Sequence, residues 1–196
     1  MLRHTAEMFL AAILSCGALS SVRAQDPESY CSEAIARARA VSPPATRGPS
    51  DAVYRLGSCG RQGYQVVGQV FLASRGSHDT GLLHQLLSFA SAGDGLLLLD
   101  PFLTVAEDRQ ASSEARITAM IGLIQLQSGW NSITFHDLSV GIDQTTCGAG
   151  RSLTDQGGHP KTGPADSARV VAVAKRIRAD LTAPMEVRTG AACLGG

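Results

Sequence analysis

Ser112-Ser113-Glu114-Ala115-Arg116-Ile117-Thr118-Ala119-Met120-Ile121-Gly122-Leu123-Ile124-Gln125-Leu126 is the stretch whose reading decides the fold. Ser112 and Ser113 are cap residues, because a serine oxygen can accept a hydrogen bond from an early backbone N–H of a helix. Glu114 falls in the first turn, where the helix dipole favours negative charge. Ile117, Met120, Ile121 and Ile124 form one stripe at helical spacing, and Ala119, Leu123 and Leu126 form an adjoining one. A surface helix needs one apolar stripe; two imply burial on more than one side. This segment is expected to be the central helix of an all-α fold.

The same periodicity continues upstream. Leu96 to Ala106 is strongly apolar but contains Asp100-Pro101. Either the helix kinks there, or Asp100 caps a new helix with Pro101 at its first position. Asp79 or Thr80 caps a helix that buries Leu82, Leu83, Leu86, Leu87 and Phe89, and Ser91 to Asp94 turns the chain after it. Tyr64 to Ala73 carries Val66, Val67, Val70, Phe71 and Leu72. Its β-branched residues suit helix or strand, and the helical elements around it favour helix. Gly60 to Gly63 reads as a turn. Before it, Ser50 or Asp51 caps a helix with Ala52, Val53, Leu56 and Cys59 at helical spacing. Ser32 to Val41 is a further helix, with Ala34, Ile35, Ala38 and Val41 on one face. Pro43-Pro44 stops it, Ser42 to Pro49 is a linker, and Gln25 to Tyr30 reads as polar and irregular.

Downstream, Gly129 to Gly163 is rich in Gly, Ser, Thr and Asp and is long for a connector. Helical pattern returns at Asp166 to Leu181, with Val170, Val171, Val173, Ala174, Ile177 and Leu181 on one face. Pro184 opens a last helix, Met185 to Leu194. The domain reading is residues 1–24 as a leader, 25–49 as an N-terminal helix and proline-rich linker, and 50–196 as a helical domain with the loop 129–163.

The leader reading rests on Arg3 and His4, an apolar run from Met8 to Leu19, and Val22-Arg23-Ala24 before Gln25. A basic start, a short apolar stretch and small residues at the cut make a cleavable signal-peptide pattern. The run falls short of the roughly 20 apolar residues that span a bilayer. An alternative is a lipid anchor at Cys16, since Ile13-Leu14-Ser15-Cys16 loosely resembles a lipobox. The mature chain is therefore expected in an extracytoplasmic compartment, periplasmic or secreted, with no membrane span. It keeps four cysteines, Cys31, Cys59, Cys147 and Cys193, an even number that fits two disulfides. Three pairings are open; the one local at both ends is Cys31–Cys59 with Cys147–Cys193. Loss of Arg3, Arg23 and Glu7 from a chain with 17 basic and 17 acidic residues leaves a formal charge of −1. With scattered basic residues and few aromatics, nucleic acid is not an expected partner.

Two segments resemble each other. Glu114-Ala115-Arg116-Ile117-Thr118-Ala119 matches Glu186-Val187-Arg188-Thr189-Gly190-Ala191, with Leu123 and Leu194 following. The two arginines are 72 residues apart, as two units of 36 would place them. This is similar to the first helix of HEAT repeats, including the short bacterial HEAT-like (PBS-lyase-type) form. Asp51-Ala52-Val53-Tyr54-Arg55-Leu56-Gly57 is a poorer copy. The resemblance implies stacked helix pairs forming a short, irregular α-solenoid, because one pair cannot bury its apolar stripe alone. It also implies packing roles for Arg116, Ala119, Leu123, Arg188, Ala191 and Leu194, and a protein-binding or scaffold function.

Catalytic signatures are sparse. His78-Asp79 and His136-Asp137 place a carboxylate beside an imidazole, but adjacent side chains seldom face one another, and Asp79 is explained as a cap. There is no H-E-x-x-H, G-x-S-x-G or C-x-x-C, and Gly148-Ala149-Gly150 is too short a signal for a phosphate loop. No cofactor is expected. The alternative reading is a hydrolytic or metal-dependent enzyme built on the 129–163 loop, with His136, Asp137 and His159 as its metal set; a structural envelope protein is a third.

Overall fold

The computed structural model describes residues 27–40, 50–129 and 161–195. Every regular element among them is helical. The α-helices are α1 (Pro27–Arg39), α2 (Ser50–Arg55), α3 (Gly60–Ala73), α4 (Thr80–Ser91), α5 (Leu99–Glu107), α6 (Ser113–Ser128), α7 (Pro164–Ala179) and α8 (Met185–Cys193). Short 3-10 turns, Leu56–Cys59 and Gly95–Leu98, precede α3 and α5. The residues from Cys31 onward form one compact unit; the preceding residues cluster separately, and of these only Pro27–Tyr30 are described, as the start of α1.

The expected central helix is present. Ser112 caps α6, its oxygen accepting from the Ala115 N–H at 3.0 Å. Every residue from Ala115 to Leu126 is buried. Neighbours on three sides account for this: α6 packs on α4, on α5 and on α8. The contacts form two series, α2 on α4 on α6 on α8, and α3 on α5 on α7. Within each successive pair, α3 meets α4, α5 meets α6 and α7 meets α8. Phe71 of α3 meets Phe102 of α5 edge to face, with centroids 5.0 Å apart, and Tyr64 of α3 meets Phe89 of α4 at 5.6 Å.

Glycine sets the closest approach. A Cβ at Gly122, mid-way along α6, would lie 2.5 Å from Phe102 Cε2. Phe102 is 1% exposed and has nowhere to go. A glycine normally weakens a helix interior; here it lets α5 and α6 approach over an aromatic ring.

Several expectations are corrected. Pro27–Tyr30 is helical, not irregular: Pro27 stands at the first position, where the lost N–H has no partner in any case, and Glu28 follows in the first turn. Gly60–Gly63 is not a turn; the 3-10 turn and the single positive φ of Gly60 (53°) redirect the chain, and α3 begins there. At Asp100-Pro101 a new helix does start, but its cap position is Leu98, so Asp100 and Pro101 occupy its first turn. Leu181 is 81% exposed, because α7 stops at Asp180. The Asp180 carboxylate accepts from Thr182 N–H at 3.1 Å, and this turn replaces a further helical one. Val171 is half-buried. Val41, the linker 42–49 and residues 130–160 of the long loop lie outside the described residues.

Cys31 and Cys59 are joined by a disulfide, with Cα atoms 5.5 Å apart. It closes a loop of 28 residues, which constrains the unfolded chain by about 3–4 kcal/mol. Cys193 is also disulfide-bonded, to a partner outside the described residues.

The α5–α6 approach yields a direct test. Gly122→Ala should destabilise the protein by about 1–3 kcal/mol through overpacking, despite alanine's better helix propensity. Urea denaturation followed by far-UV circular dichroism checks it; an unchanged or raised midpoint would contradict the packing described.

Candidate functional site

Three interhelical connections hold the densest polar contacts among the described residues. They are residues 74–79 between α3 and α4, 108–112 between α5 and α6, and 180–184 between α7 and α8. Ser112 joins the first two. Its N–H donates to Arg75 O at 2.8 Å, and its hydroxyl donates to Ser77 O at 2.6 Å while capping α6. One serine thus starts a helix and fixes the neighbouring connection.

Charges extend the contact. Arg75 Nε lies 3.3 Å from Asp108 Oδ2, and Arg109 Nε lies 3.0 Å from Asp180 Oδ2. Arg116 sits beneath them, 5% exposed, and its Nε donates to Ala106 O at 3.1 Å, near the end of α5. Burial pulls the Arg116 pKa down, Asp180 and Asp108 oppose that, and Arg109 adds to it. The guanidinium remains charged, as arginine does in proteins. Asp180 is held below its ordinary range, chiefly by the Thr182 hydroxyl at 2.6 Å and also by Arg109 and Arg116. Glu114 is likewise lowered, first by its own backbone N–H and then by His78, whose Nδ1 lies 2.8 Å away.

The outer charges contribute little individually, because exposed ion pairs are worth roughly 0–1 kcal/mol. Arg116 differs: its hydrogen bond is buried, and cutting it strands a carbonyl. Its part is to seat the start of α6 against the end of α5. The arrangement is a set of opposed, paired charges, and it orients helices.

At the opposite ends of α4 and α6, Lys161 returns the chain. Its Nζ donates to Ala92 O at 2.8 Å and its N–H to Leu126 O at 2.9 Å. Burial lowers its pKa, with Asp94 opposing. A cation at the end of α4 complements that helix's carbonyls.

The sequence-derived candidates separate into groups. Ala119, Leu123, Ala191 and Leu194 are buried with Arg116, and Arg188 is half-buried. α6 packs directly on α8, so the two matched segments are on neighbouring helices, not two units apart. A Cβ at Gly190 would lie 3.0 Å from Met120 Cβ, a close approach the sequence did not reveal. His78 and Asp79 diverge: Asp79 accepts from Leu82 N–H as a cap, and His78 turns to Glu114. Among the described residues no group of three or more His, Cys, Asp or Glu is placed to hold a metal. His136, Asp137, Gly148-Ala149-Gly150 and His159 lie outside those residues, as do Cys16 and Cys147. Arg75, Asp108, Arg109 and Asp180 went unnoticed in the sequence, since their partners lie 33 to 71 positions away.

Two outcomes follow. Arg116→Met should cost about 1–3 kcal/mol, the penalty for leaving a buried acceptor unpaired. For acid, the folded pKa values of Glu114 and Asp180 lie below their unfolded ones. Their contribution is therefore complete above the ordinary carboxylate range and is lost as pH falls through the folded values. Melting temperatures between pH 7 and 3 should fall less steeply for Glu114→Gln with Asp180→Asn than for the unaltered chain. An identical acid limb would remove these carboxylates from the account.

No protein-family model matches the chain, and no curated protein or solved structure is significantly similar to it.

Proposed function

We propose that the chain is an exported scaffold of stacked helix pairs, HEAT-like in construction, that presents the α3–α5–α7 series to a protein partner. The observation carrying this reading is the parallel register of alternate helices. Arg169 of α7 pairs with Asp100 of α5, and Arg176 with Glu107, both at an offset of 69 residues. Two contacts at one offset mean two helices running the same way in step. α3 and α5 have the same relation at an offset of 33: Gly68 of α3 approaches Pro101 of α5, and just past the two helix ends Arg75 pairs with Asp108. Parallel equivalents flanking antiparallel partners are what stacked helical hairpins produce.

The change of offset from 33 to 69 supports the reading further. The extra 36 residues match the length of one helix pair, and residues 129–163 lie between α6 and α7 in sequence. The third pair sits beside the second as though a unit's length of chain had been passed over. Arg116 and Arg188 then occupy equivalent places in adjacent pairs.

The choice of face rests on the enclosure of α6. α6, in the middle of the α2–α4–α6–α8 series, is buried from Ala115 to Leu126 and leaves nothing for a partner. The other series exposes Gln65, Thr104 and Ala172 on successive helices. Export is supported by the leader pattern, and the Cys31–Cys59 disulfide is compatible with it, as is the lack, among the described residues, of a helix long and apolar enough to cross a membrane. The remaining pairing in this reading is Cys147 with Cys193.

The test places a photo-crosslinking residue at Gln65, Thr104, Ala172 and, on the other series, His84 in the native host. One adduct of common mass from the first three sites and none from His84 is the expected result. Adducts at no site, or of unrelated mass at each, would end the scaffold reading. Intact mass of the exported protein is expected to begin at Gln25; a lipidated Cys16 at the N-terminus would establish the anchored form instead.

A further inference from the structure

We propose that Met185 is an oxidation site of the folded protein: its sulfur accepts an oxygen atom from a peroxide while Met120 and the helices enclosing it stay intact. The methionines among the described residues are these two, and they differ sharply in access. Met185 is 59% exposed and Met120 is 0% exposed. Met120 is on α6, which packs on α4, α5 and α8. It also lies where α8 comes closest. A Cβ at Gly190 would be 3.0 Å from Met120 Cβ, 3.4 Å from its Cγ and 3.7 Å from its Cε. The side chain is thus covered by α8 from its stem to its terminal methyl, with the sulfur between. Close-packed protein leaves no room there for an added oxygen.

Met185 opens α8, directly after the cap residue Pro184. The residues that seat this helix are others: Ala183, Val187, Gly190 and Ala191 are buried. Leu181, four positions earlier, is 81% exposed, so oxidation alters one of two large apolar side chains already in water. The thioether is polarizable, and a sulfur lone pair attacks one oxygen of hydrogen peroxide. The S–O bond forms as the O–O bond breaks. The second oxygen leaves as hydroxide and takes the proton of the transferred hydroxyl, giving water. Sulfur loses two electrons and the peroxide gains them. The product is a polar sulfoxide. Its partly negative oxygen is added beside the first turn of a helix, where the helix dipole favours such charge. Neither burial nor charge opposes the change.

The experiment exposes the folded protein to graded hydrogen peroxide, quenches with catalase and measures each sulfoxide by peptide mass mapping. Met185 is expected to gain one oxygen at least about tenfold faster than Met120, with the far-UV circular dichroism unchanged. In denaturing urea the two rates should converge. Equal rates in the folded protein would overturn the proposal. So would earlier oxidation of Met120, or loss of helical signal in step with the Met185 sulfoxide. Met185→Leu conserves volume and should fold as before, leaving Met120 as slow as in the unaltered chain. Faster oxidation of Met120 in that variant would show that Met185 holds α8 in place, and would also overturn the proposal.

Discussion

Helix α6 can be enclosed along Ala115 to Leu126 only because its neighbours come very close, and Gly122 beneath the Phe102 ring is where that closeness is set. An added methyl there has no free volume to enter, since protein interiors are packed to crystalline density. The position of α5 over α6 fixes where α5 meets α3 through Phe71 and Phe102. It also fixes where the end of α5 offers the Ala106 carbonyl to Arg116. The polar connections are a consequence of this core geometry.

Those connections show how a modest set of polar contacts gains effect by sharing atoms. Ser112 caps α6 and grips the 74–79 connection with the same side chain. Asp180 ends α7, turns the chain through Thr182 and meets Arg109. In each case a local backbone requirement and a long-range contact are met by one residue. Orientation of the helices is thereby coupled to where each helix begins or ends.

Local physics made much of the fold readable. The caps at Asp79 and Ser112 were legible because a serine or aspartate before an apolar periodic run has few other roles. The enclosure of α6 was legible because two stripes cannot both face one neighbour. The helical state of Tyr64 to Ala73 followed from context despite its valines. What the sequence hid was contact between distant positions. Gly122 reads as a blemish in a helix until Phe102 is above it. Gly190 reads as a mismatch to Thr118 until Met120 is beside it. The Leu181 expectation failed because periodicity carries no record of the Asp180–Thr182 turn, which competes with the helix for the same backbone. The arginine spacing of 72 suggested two steps of stacking, yet α6 and α8 touch, because spacing along a chain does not report how much chain is passed over.

The burial of α6 also shapes how the molecule breathes. Its backbone amides are shielded on several sides at once, so solvent reaches them only when neighbouring pairs separate together. α7 is held to α5 in part by arginines on the surface, Arg169 and Arg176, whose partners are themselves in water. Opening is therefore most cooperative along α6, where two stripes are enclosed.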